Sequence, residues 1–305
     1  MEVVLRRPQA ADIPQLHALL VACDLADFGT ADYAIEIEEV FTELNLEEDA
    51  WLVITGEQVI GLGYLEERGA GRLDGYVFVH PDFKGRGIGS RLLDLLEERA
   101  GAYQADCVRK DIPFEFNNVI PSTNPSARQI VEKRQYQWKS QYSVMQVTFA
   151  DQPAPPQLPV AWVIRPVQDG RDETLIYQLY LETFRDARGF RHRSYDEWRE
   201  EKALDSYDRS LWFIAERGGE PAGFILCKHS PSCLWIDLLG VKREFRKQGV
   251  GHALLQHVFA QGFRKGWPSF GLSVDNHSPT QASHVYEKAG MTRVFSVEVY
   301  GKTFC

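Results

Sequence analysis

Trp235-Ile236-Asp237-Leu238-Leu239-Gly240-Val241 is an apolar run of strand length, and a few charged residues later comes Arg246-Lys247-Gln248-Gly249-Val250-Gly251. The run reads as a buried strand, because apolar residues fill most positions instead of alternating. Behind the glycines, Leu254, Leu255, Val258 and Phe259 recur at helical spacing, so a helix follows. A second strand, Phe270-Gly271-Leu272-Ser273-Val274, leads into Asp275-Asn276. A last helix carries Val285-Tyr286-Glu287-Lys288-Ala289-Gly290-Met291.

The same plan is written earlier in the chain. Val3-Val4-Leu5-Arg6-Arg7-Pro8 reads as a strand, with a helix opening at Asp12. Trp51-Leu52-Val53-Ile54 and Val59-Ile60-Gly61-Leu62-Gly63-Tyr64 form a hairpin around Thr55-Gly56-Glu57-Gln58. Tyr76-Val77-Phe78-Val79 is a strand that precedes Lys84-Gly85-Arg86-Gly87-Ile88-Gly89. Residues 150–160 hold four prolines and read as an extended linker. Beyond them Val163-Ile164-Arg165-Pro166 mirrors Leu5-Arg6-Arg7-Pro8, and Trp212-Phe213-Ile214-Ala215 mirrors Trp51-Leu52-Val53-Ile54. Gly223 answers Gly61, and Arg246 through Gly251 answer Lys84 through Gly89. Four correspondences in register mean an internal duplication. The expectation is a first domain at 1–149, a linker at 150–160 and a second domain at 161–305. Strands alternate with helices, so each half should be an α/β (α+β) sandwich on a mixed sheet.

Bulk properties narrow the function. The 305 residues carry a net charge of −9, which argues against a broad nucleic-acid face, since duplex binding relies on Lys and Arg neutralising phosphates. Local basic clusters remain free to hold one small phosphate. Five scattered cysteines without a C-x-x-C pair read as reduced thiols and give no metal site. No apolar run approaches the ~18 residues of a membrane span, and the start of the chain lacks a secretory apolar segment. A cytoplasmic protein that binds neither membrane nor metal is expected.

Glycines between a strand and a helix let backbone approach a ligand, and the unpaired first-turn N–H groups point outward. With the positive end of the helix dipole, that geometry receives phosphate oxygens. No Gly-Lys-Ser/Thr follows, so this is not a P-loop, and the spacing is not G-x-G-x-x-G. Taken alone, a purely structural turn explains the glycines equally well.

The wider pattern decides between these. Arg246-Lys247-Gln248-Gly249-Val250-Gly251 after a strand, then Asn276, then Tyr286-Glu287-Lys288-Ala289-Gly290 resembles the GNAT superfamily of acetyl-CoA-dependent N-acetyltransferases. Two such units in one chain look most like the tandem type to which mycothiol synthase belongs. The resemblance implies two GNAT folds, each a mixed, mostly antiparallel sheet flanked by helices. It implies that the backbone of Leu239, Gly240 and Val241 pairs with the pantetheine arm of acetyl-CoA. The pyrophosphate would sit on Arg246, Lys247, Gln248, Gly249, Val250 and Gly251. Asn276 would touch the cofactor arm, and Tyr286 would stand beside the sulfur. In the first copy the matching cradle is Val77, Val79, Lys84, Gly85, Arg86, Gly87 and Gly89.

The implied chemistry suits these residue types. An amine of pKa near ~10 is protonated at neutral pH and must lose a proton before it attacks. Tyr286 can donate to the departing thiolate, help typically worth ~10²–10⁴-fold, although a tyrosine on such a helix can equally be a core or rim residue. Asp237 is the candidate base on the expectation that it shares a face with Leu239; pairing with an arginine is the plain alternative.

The first copy departs from the pattern, with Val131 where the tyrosine should be and Gln135 where the glycine should be. Valine cannot donate a proton, and Gln135 removes the easy left-handed turn at the helix end. The second half is therefore the expected catalytic unit. Phe184 through Trp198, arginines interleaved with aromatics, would shape an acceptor pocket or form a solvated face. The leading expectation is transfer to a small-molecule amine. The alternatives are a non-catalytic acetyl-CoA sensor and an enzyme acting on a protein or peptide amine.

Overall fold

The computed structural model describes residues 3–31, 46–185, 187, 190, 192–230, 232–278 and 282–303. The chain forms two compact units, Met1–Tyr142 together with Ser296–Cys305, and Ser143–Phe295. In chain order the first unit holds β1 (Val4–Arg6), α1 (Ile13–Phe28), α2 (Leu46–Asp49), β2 (Ala50–Thr55), β3 (Gln58–Glu67) and β4 (Arg72–Val79). It continues with α3 (Ile88–Arg109), β5 (Glu115–Pro121) and α4 (Pro125–Lys133), and β6 (Gln137–Thr148) leads into the second unit. There follow β7 (Trp162–Pro166), α5 (Glu173–Phe184), α6 (Tyr195–Glu201), β8 (Phe213–Arg217), β9 (Glu220–His229) and β10 (Leu234–Val241). The chain closes with α7 (Val250–Arg264), β11 (Ser269–Asp275), α8 (Ala282–Lys288) and β12 (Thr292–Lys302).

Strand order in the first unit is β1-β2-β3-β4-β5-β12, and in the second β7-β8-β9-β10-β11-β6. β4–β5 and β10–β11 are parallel, whereas β1–β2, β2–β3, β3–β4, β5–β12, β7–β8, β8–β9 and β9–β10 are antiparallel. The mixed, mostly antiparallel sheet expected from the sequence is present in each unit.

Helices cover both faces, which is why the central strands read as unbroken apolar runs. In the first unit α1 sets Leu16, Leu19 and Leu20 against Leu52, Leu62 and Tyr64. On the other face α3 sets Leu92, Leu93 and Leu96 against Val53, Ile60 and Phe116. In the second unit Ile176, Leu179 and Trp198 pack on Trp212, Phe224 and Leu226. Across that sheet, Leu254, Leu255 and Val258 of α7 pack on Ile225, Ile236 and Phe270. Adjacent β9 residues therefore enter opposite cores, as a period of two requires.

The duplication extends to one ion pair. Arg6 Nη1 and Nη2 donate to the two Asp12 oxygens at 2.7 and 2.6 Å, and Asp12 also accepts from the Gln9 amide at 2.7 Å. Arg165 grips Asp172 at 2.6 and 3.1 Å, and Asp172 accepts from the Gln168 amide at 2.8 Å. This corrects the sequence register by one residue: Arg165 answers Arg6, whereas the Arg-Pro match had paired it with Arg7. The strands decide it: Val53 pairs with Gly61 and Ala215 with Gly223, so Leu52 answers Ile214, one residue off the Trp51–Trp212 match, and Arg6 stands opposite Leu52 as Arg165 stands opposite Ile214.

Candidate active site

Each parallel pair opens partway along. β10 pairs with β11 only at Leu234↔Phe270 and Trp235↔Gly271, yet stays on β9 as far as Val241↔Gly223. Beyond Trp235 the edge of β10 facing β11 thus carries backbone groups outside that ladder. β4 leaves β5 in the same way after Gly75↔Asn118 while following β3 to Val79.

The glycine turn lies at the open end. Gly249 sits at φ 82° as the residue before α7, and Lys247 at φ 61° occupies the left-handed region that Gly85 (φ 79°) fills in the first unit. A non-glycine residue there carries a cost of roughly 1–2 kcal/mol. The first rung of α7 is Ala253 N–H to Gly249 O at 2.9 Å, so the preceding amides have no partner within the helix. Arg246 Nε donates to the Val241 carbonyl at 3.0 Å and Nη2 to the Thr183 carbonyl at 3.2 Å, fixing strand, turn and α5 together.

A cavity of about 1050 Å³ opens here, lined by Leu239, Val241, Arg246, Lys247, Gly249, Val250, Gly251 and Tyr286, together with Arg243, Phe245, Ala282 and Val285. Three of the cofactor residues singled out from sequence lie off its wall, as does Asp237. Gly240 turns to the other face, where a Cβ would strike Phe224 and Thr183. Gln248 reaches back to the Glu244 carbonyl at 2.8 Å, and Asn276 occupies the turn after β11. Arg243 and Phe245 were not anticipated; their only signal is a position in the charged turn before the glycines.

Tyr286 is 8% exposed, and burial pushes its phenol up to about 12. Its hydroxyl makes no hydrogen bond to any described residue. The turn behind it is closed by Gly290 at φ 90°, with the Met291 N–H on the Tyr286 carbonyl at 3.0 Å.

Asp237 does not share a face with Leu239. The β9–β10 register shifts between Ile236 and Leu238, so Asp237 is the extra residue of a β-bulge. Ile236, Leu239 and Val241 face α7, whereas Leu238 packs with Tyr180, Phe184 and Tyr207 on the α5–α6 face. Asp237 points to that same α5–α6 face: its Oδ2 accepts from Lys202 Nζ at 2.7 Å and meets the Tyr207 hydroxyl at 3.1 Å. The plain alternative is thus half met, with lysine in place of arginine as the cation. Glu201, Lys202 and Tyr207, which sequence reading missed, form a polar group there with Arg193 of the arginine-aromatic stretch. Burial and the carboxylates of Asp237 and Glu201 hold the Tyr207 phenol far above its usual range, so it stays a donor.

The first unit has a cavity of about 350 Å³, lined by Val77, Val79, Lys84, Gly85, Gly87 and Gly89 among others. Arg86 instead lies over the Phe83 ring at 4.9 Å. β3 and β4 run in unbroken register, with no bulge, so Asp237 has no counterpart there: Gly75, paired with Leu65, answers Ile236, paired with Cys227. A side chain there would meet Phe116 and Leu96 on the α3 face. Val131 lines the cavity in place of a tyrosine. Gln135 does adopt the left-handed turn, at φ 64°, so that turn survives without its glycine and with the strain that implies.

Among the described residues no group of three or more His, Cys, Asp or Glu side chains could hold a metal ion, and no helix is long and apolar enough to cross a membrane.

Comparison with known proteins agrees with this geometry. The model of the acetyltransferase (GNAT) family matches residues 174–291, and that of an acetyltransferase (GNAT) domain matches residues 47–136. An acetyltransferase of Photorhabdus laumondii is 30% identical over 139 residues, covering 44% of this chain and 86% of its own. The mycothiol acetyltransferase of Thermobispora bispora is 27% identical over 250 residues, 79% of each chain. The crystal structure of a GCN5-related N-acetyltransferase from Sphaerobacter thermophilus superposes with a TM-score of 0.87 at 28% identity, covering 98% of this chain and 95% of that one. Two glycine turns on two splayed sheets are thus those of an N-acetyltransferase, and the chain belongs to the GNAT family with two copies of its domain.

Proposed function

We propose that the second unit is the catalytic one and that it transfers an acetyl group from acetyl-CoA to the primary amine of a small molecule by direct attack. One observation carries this reading. The second unit has two proton-handling side chains, Asp237 on its bulge and Tyr286, where the first has no bulge residue and Val131. The mycothiol acetyltransferases among the relatives, named for a small molecule, favour a small acceptor.

The residues present fit acetyl-CoA. Arg243, Arg246 and Lys247 bring positive charge to the mouth of the cavity, and the first-turn amides of α7 suit a pyrophosphate. The open edge from Leu239 to Val241, with Ala282 and Val285 opposite, suits an arm that alternates amide and methylene groups. When bound, acetyl-CoA supplies the thioester carbonyl and the leaving thiolate. Asp237 takes the proton from the acceptor's ammonium, leaving a neutral amine to attack. Tyr286 serves at the sulfur as a hydrogen-bond donor, in the place expected for a general acid. At about 12, its phenol reaches the reaction protonated, and a thiol near ~8.5 is the stronger acid, so the phenol acts by hydrogen bonding as negative charge develops. Val77, Val79, Lys84, Gly85, Gly87 and Gly89 form a second cradle, which we read as a cofactor site without turnover.

The test is a thiol-release screen against aminosugars, polyamines, amino acids and peptides, with Tyr286→Phe alongside. Turnover of a small amine, lost in the variant, is expected. Acceptance of peptides alone would remove the small-molecule reading, and an unchanged rate in the variant would remove the donor role.

A further inference from the structure

The bulge at Asp237 faces a group of charges that the proposed reaction has not yet used. Lys202 follows α6, and its side chain is only 3% exposed. Its ammonium contacts Glu201 Oε1 at 2.8 Å, the Tyr207 hydroxyl at 2.7 Å and Asp237 Oδ2 at 2.7 Å. An ammonium has three N–H donors and no acceptor, so these partners use all of it. With its oxygen accepting from Lys202, the Tyr207 hydroxyl has its own proton for Asp237 Oδ2 at 3.1 Å, a shorter path than the 3.4 Å to Glu201 Oε1. Asp237 Oδ2 is therefore held by two donors. Asp237 Oδ1 takes no hydrogen bond from any described residue, and the side chain is 18% exposed. One oxygen is anchored and the other is open.

A merely cohesive contact between α6 and β10 would be served as well by apolar side chains, since burying an ammonium costs several kcal/mol before its partners compensate. What the charged arrangement adds is direction. A carboxylate turns about its Cβ–Cγ bond, and two donors on one oxygen stop that turn.

We propose that Lys202 and Tyr207 are positioning residues that anchor Asp237 Oδ2, so that Oδ1 alone meets the acceptor's ammonium. This rests on the reading of Asp237 as the base. In the step, one N–H bond of the ammonium breaks, the proton passes to Oδ1 and the electron pair stays on nitrogen. Lys202 keeps its proton and its charge throughout. The other groups around Asp237 are Glu201 on α6, paired with Arg193, Tyr180 on α5 and Cys227 on β9. Two cations thus stand against two carboxylates, and removing Lys202 leaves a net negative site.

The experiment compares Lys202→Met, Tyr207→Phe and Asp237→Asn in the full chain, with one amine acceptor and saturating acetyl-CoA. Loss of one of the two donors on Oδ2 should lower kcat about tenfold or more in Lys202→Met, with acetyl-CoA affinity unchanged. Tyr207→Phe, which keeps the ion pair, should lower kcat about tenfold or more, with acetyl-CoA affinity unchanged. A purely structural role would lower the melting temperature and leave kcat in place in both variants, and that result overturns the proposal. Should Lys202→Met fail to fold, Tyr207→Phe decides alone. An Asp237→Asn variant at the wild-type rate would remove the base, and this inference with it. An inactive Asp237→Asn beside unaltered Lys202→Met and Tyr207→Phe would remove this inference only.

Discussion

Lys84 Nζ donates to Asp27 Oδ1 at 3.0 Å, tying the lysine of the first unit's glycine turn to the end of α1. Asn124 Nδ2 stands 3.3 Å from each oxygen of the same carboxylate, and all three residues line the cavity. A phosphate entering this groove meets an anion that already holds its cation. In the second unit Arg246 is held by neutral carbonyls, which leave its charge available. Calorimetry with acetyl-CoA should show a tighter event lost in Gly249→Val/Gly251→Val and a weaker one that survives. Asp27→Asn should tighten the weaker event by about tenfold, the equivalent of ~1.4 kcal/mol. A weaker event that ignores Asp27→Asn would count against this electrostatic account.

Tyr286→Phe removes a hydroxyl that no described residue engages. The melting temperature and acetyl-CoA affinity should therefore stay near wild type while kcat drops by ~10²–10³. Rapid-quench measurement of acetyl transfer separates the two effects. A variant that loses stability as much as rate would place the hydroxyl in packing instead of chemistry.

Gly240 and Gly101 should respond in opposite directions to the same substitution. A Cβ on Gly240 would lie 2.5 Å from Phe224 Cε1 and 2.5 Å from Thr183 Oγ1, whereas one on Gly101, inside α3, meets nothing within 4 Å. Gly240→Ala should cost about 1–3 kcal/mol as α5 is pushed from the sheet. Gly101→Ala should gain about 0.5–1 kcal/mol from helix propensity. Urea titrations of both variants check the pair.

The repeated Arg–Asp pairs give a pH signature. Hydrogen bonds from Arg6 and Arg165 hold the Asp12 and Asp172 carboxyls below the ordinary range. A carboxyl lowered by folding contributes stability that is present above its unfolded pKa near ~3.9 and is lost as pH falls through the lower folded value. Asp172→Asn should therefore cost about 1 kcal/mol at pH 7, a figure kept small because the arginines are partly exposed. The difference from wild type should shrink steadily below about pH 4. A gap that persisted in acid would point to lost packing instead.

What the sequence disclosed and what it hid divide along physical lines. Gly249, Gly251 and Gly87 were legible because a strand-to-helix turn of this kind needs specific residue types at fixed local spacing. Leu254, Leu255 and Val258 were legible through helical period alone. Asp237 defeated the two-residue rule because a bulge belongs to the pairing of β10 with β9, not to either strand. The one-residue slip between Arg6 and Arg7 came from matching Arg-Pro letters, when the constraint is the Asp partner across the helix start. Lys202 and Tyr207 reach Asp237 across 35 and 30 positions of chain, and no local pattern announces that meeting. Gln135 holds a left-handed turn because the Tyr136 N–H and the Val131 carbonyl close the helix end at 3.1 Å whatever residue stands between.

β12 supplies the final consequence. Residues 297–302 lie in the first unit's sheet, paired with Pro121 down to Phe116, and Lys302 reaches Glu97 at 3.1 Å. A ribosome makes this chain from its N-terminus, so β5 emerges with one edge bare and waits there for a strand roughly 180 residues away. Such distant pairing is the slow kind. The earlier half must therefore finish folding last, after nearly the whole of the later half has been synthesised. Expressed alone up to residue 149, it should expose an unpaired strand edge and aggregate, while the same fragment supplied with a peptide spanning 292–303 should stay in solution.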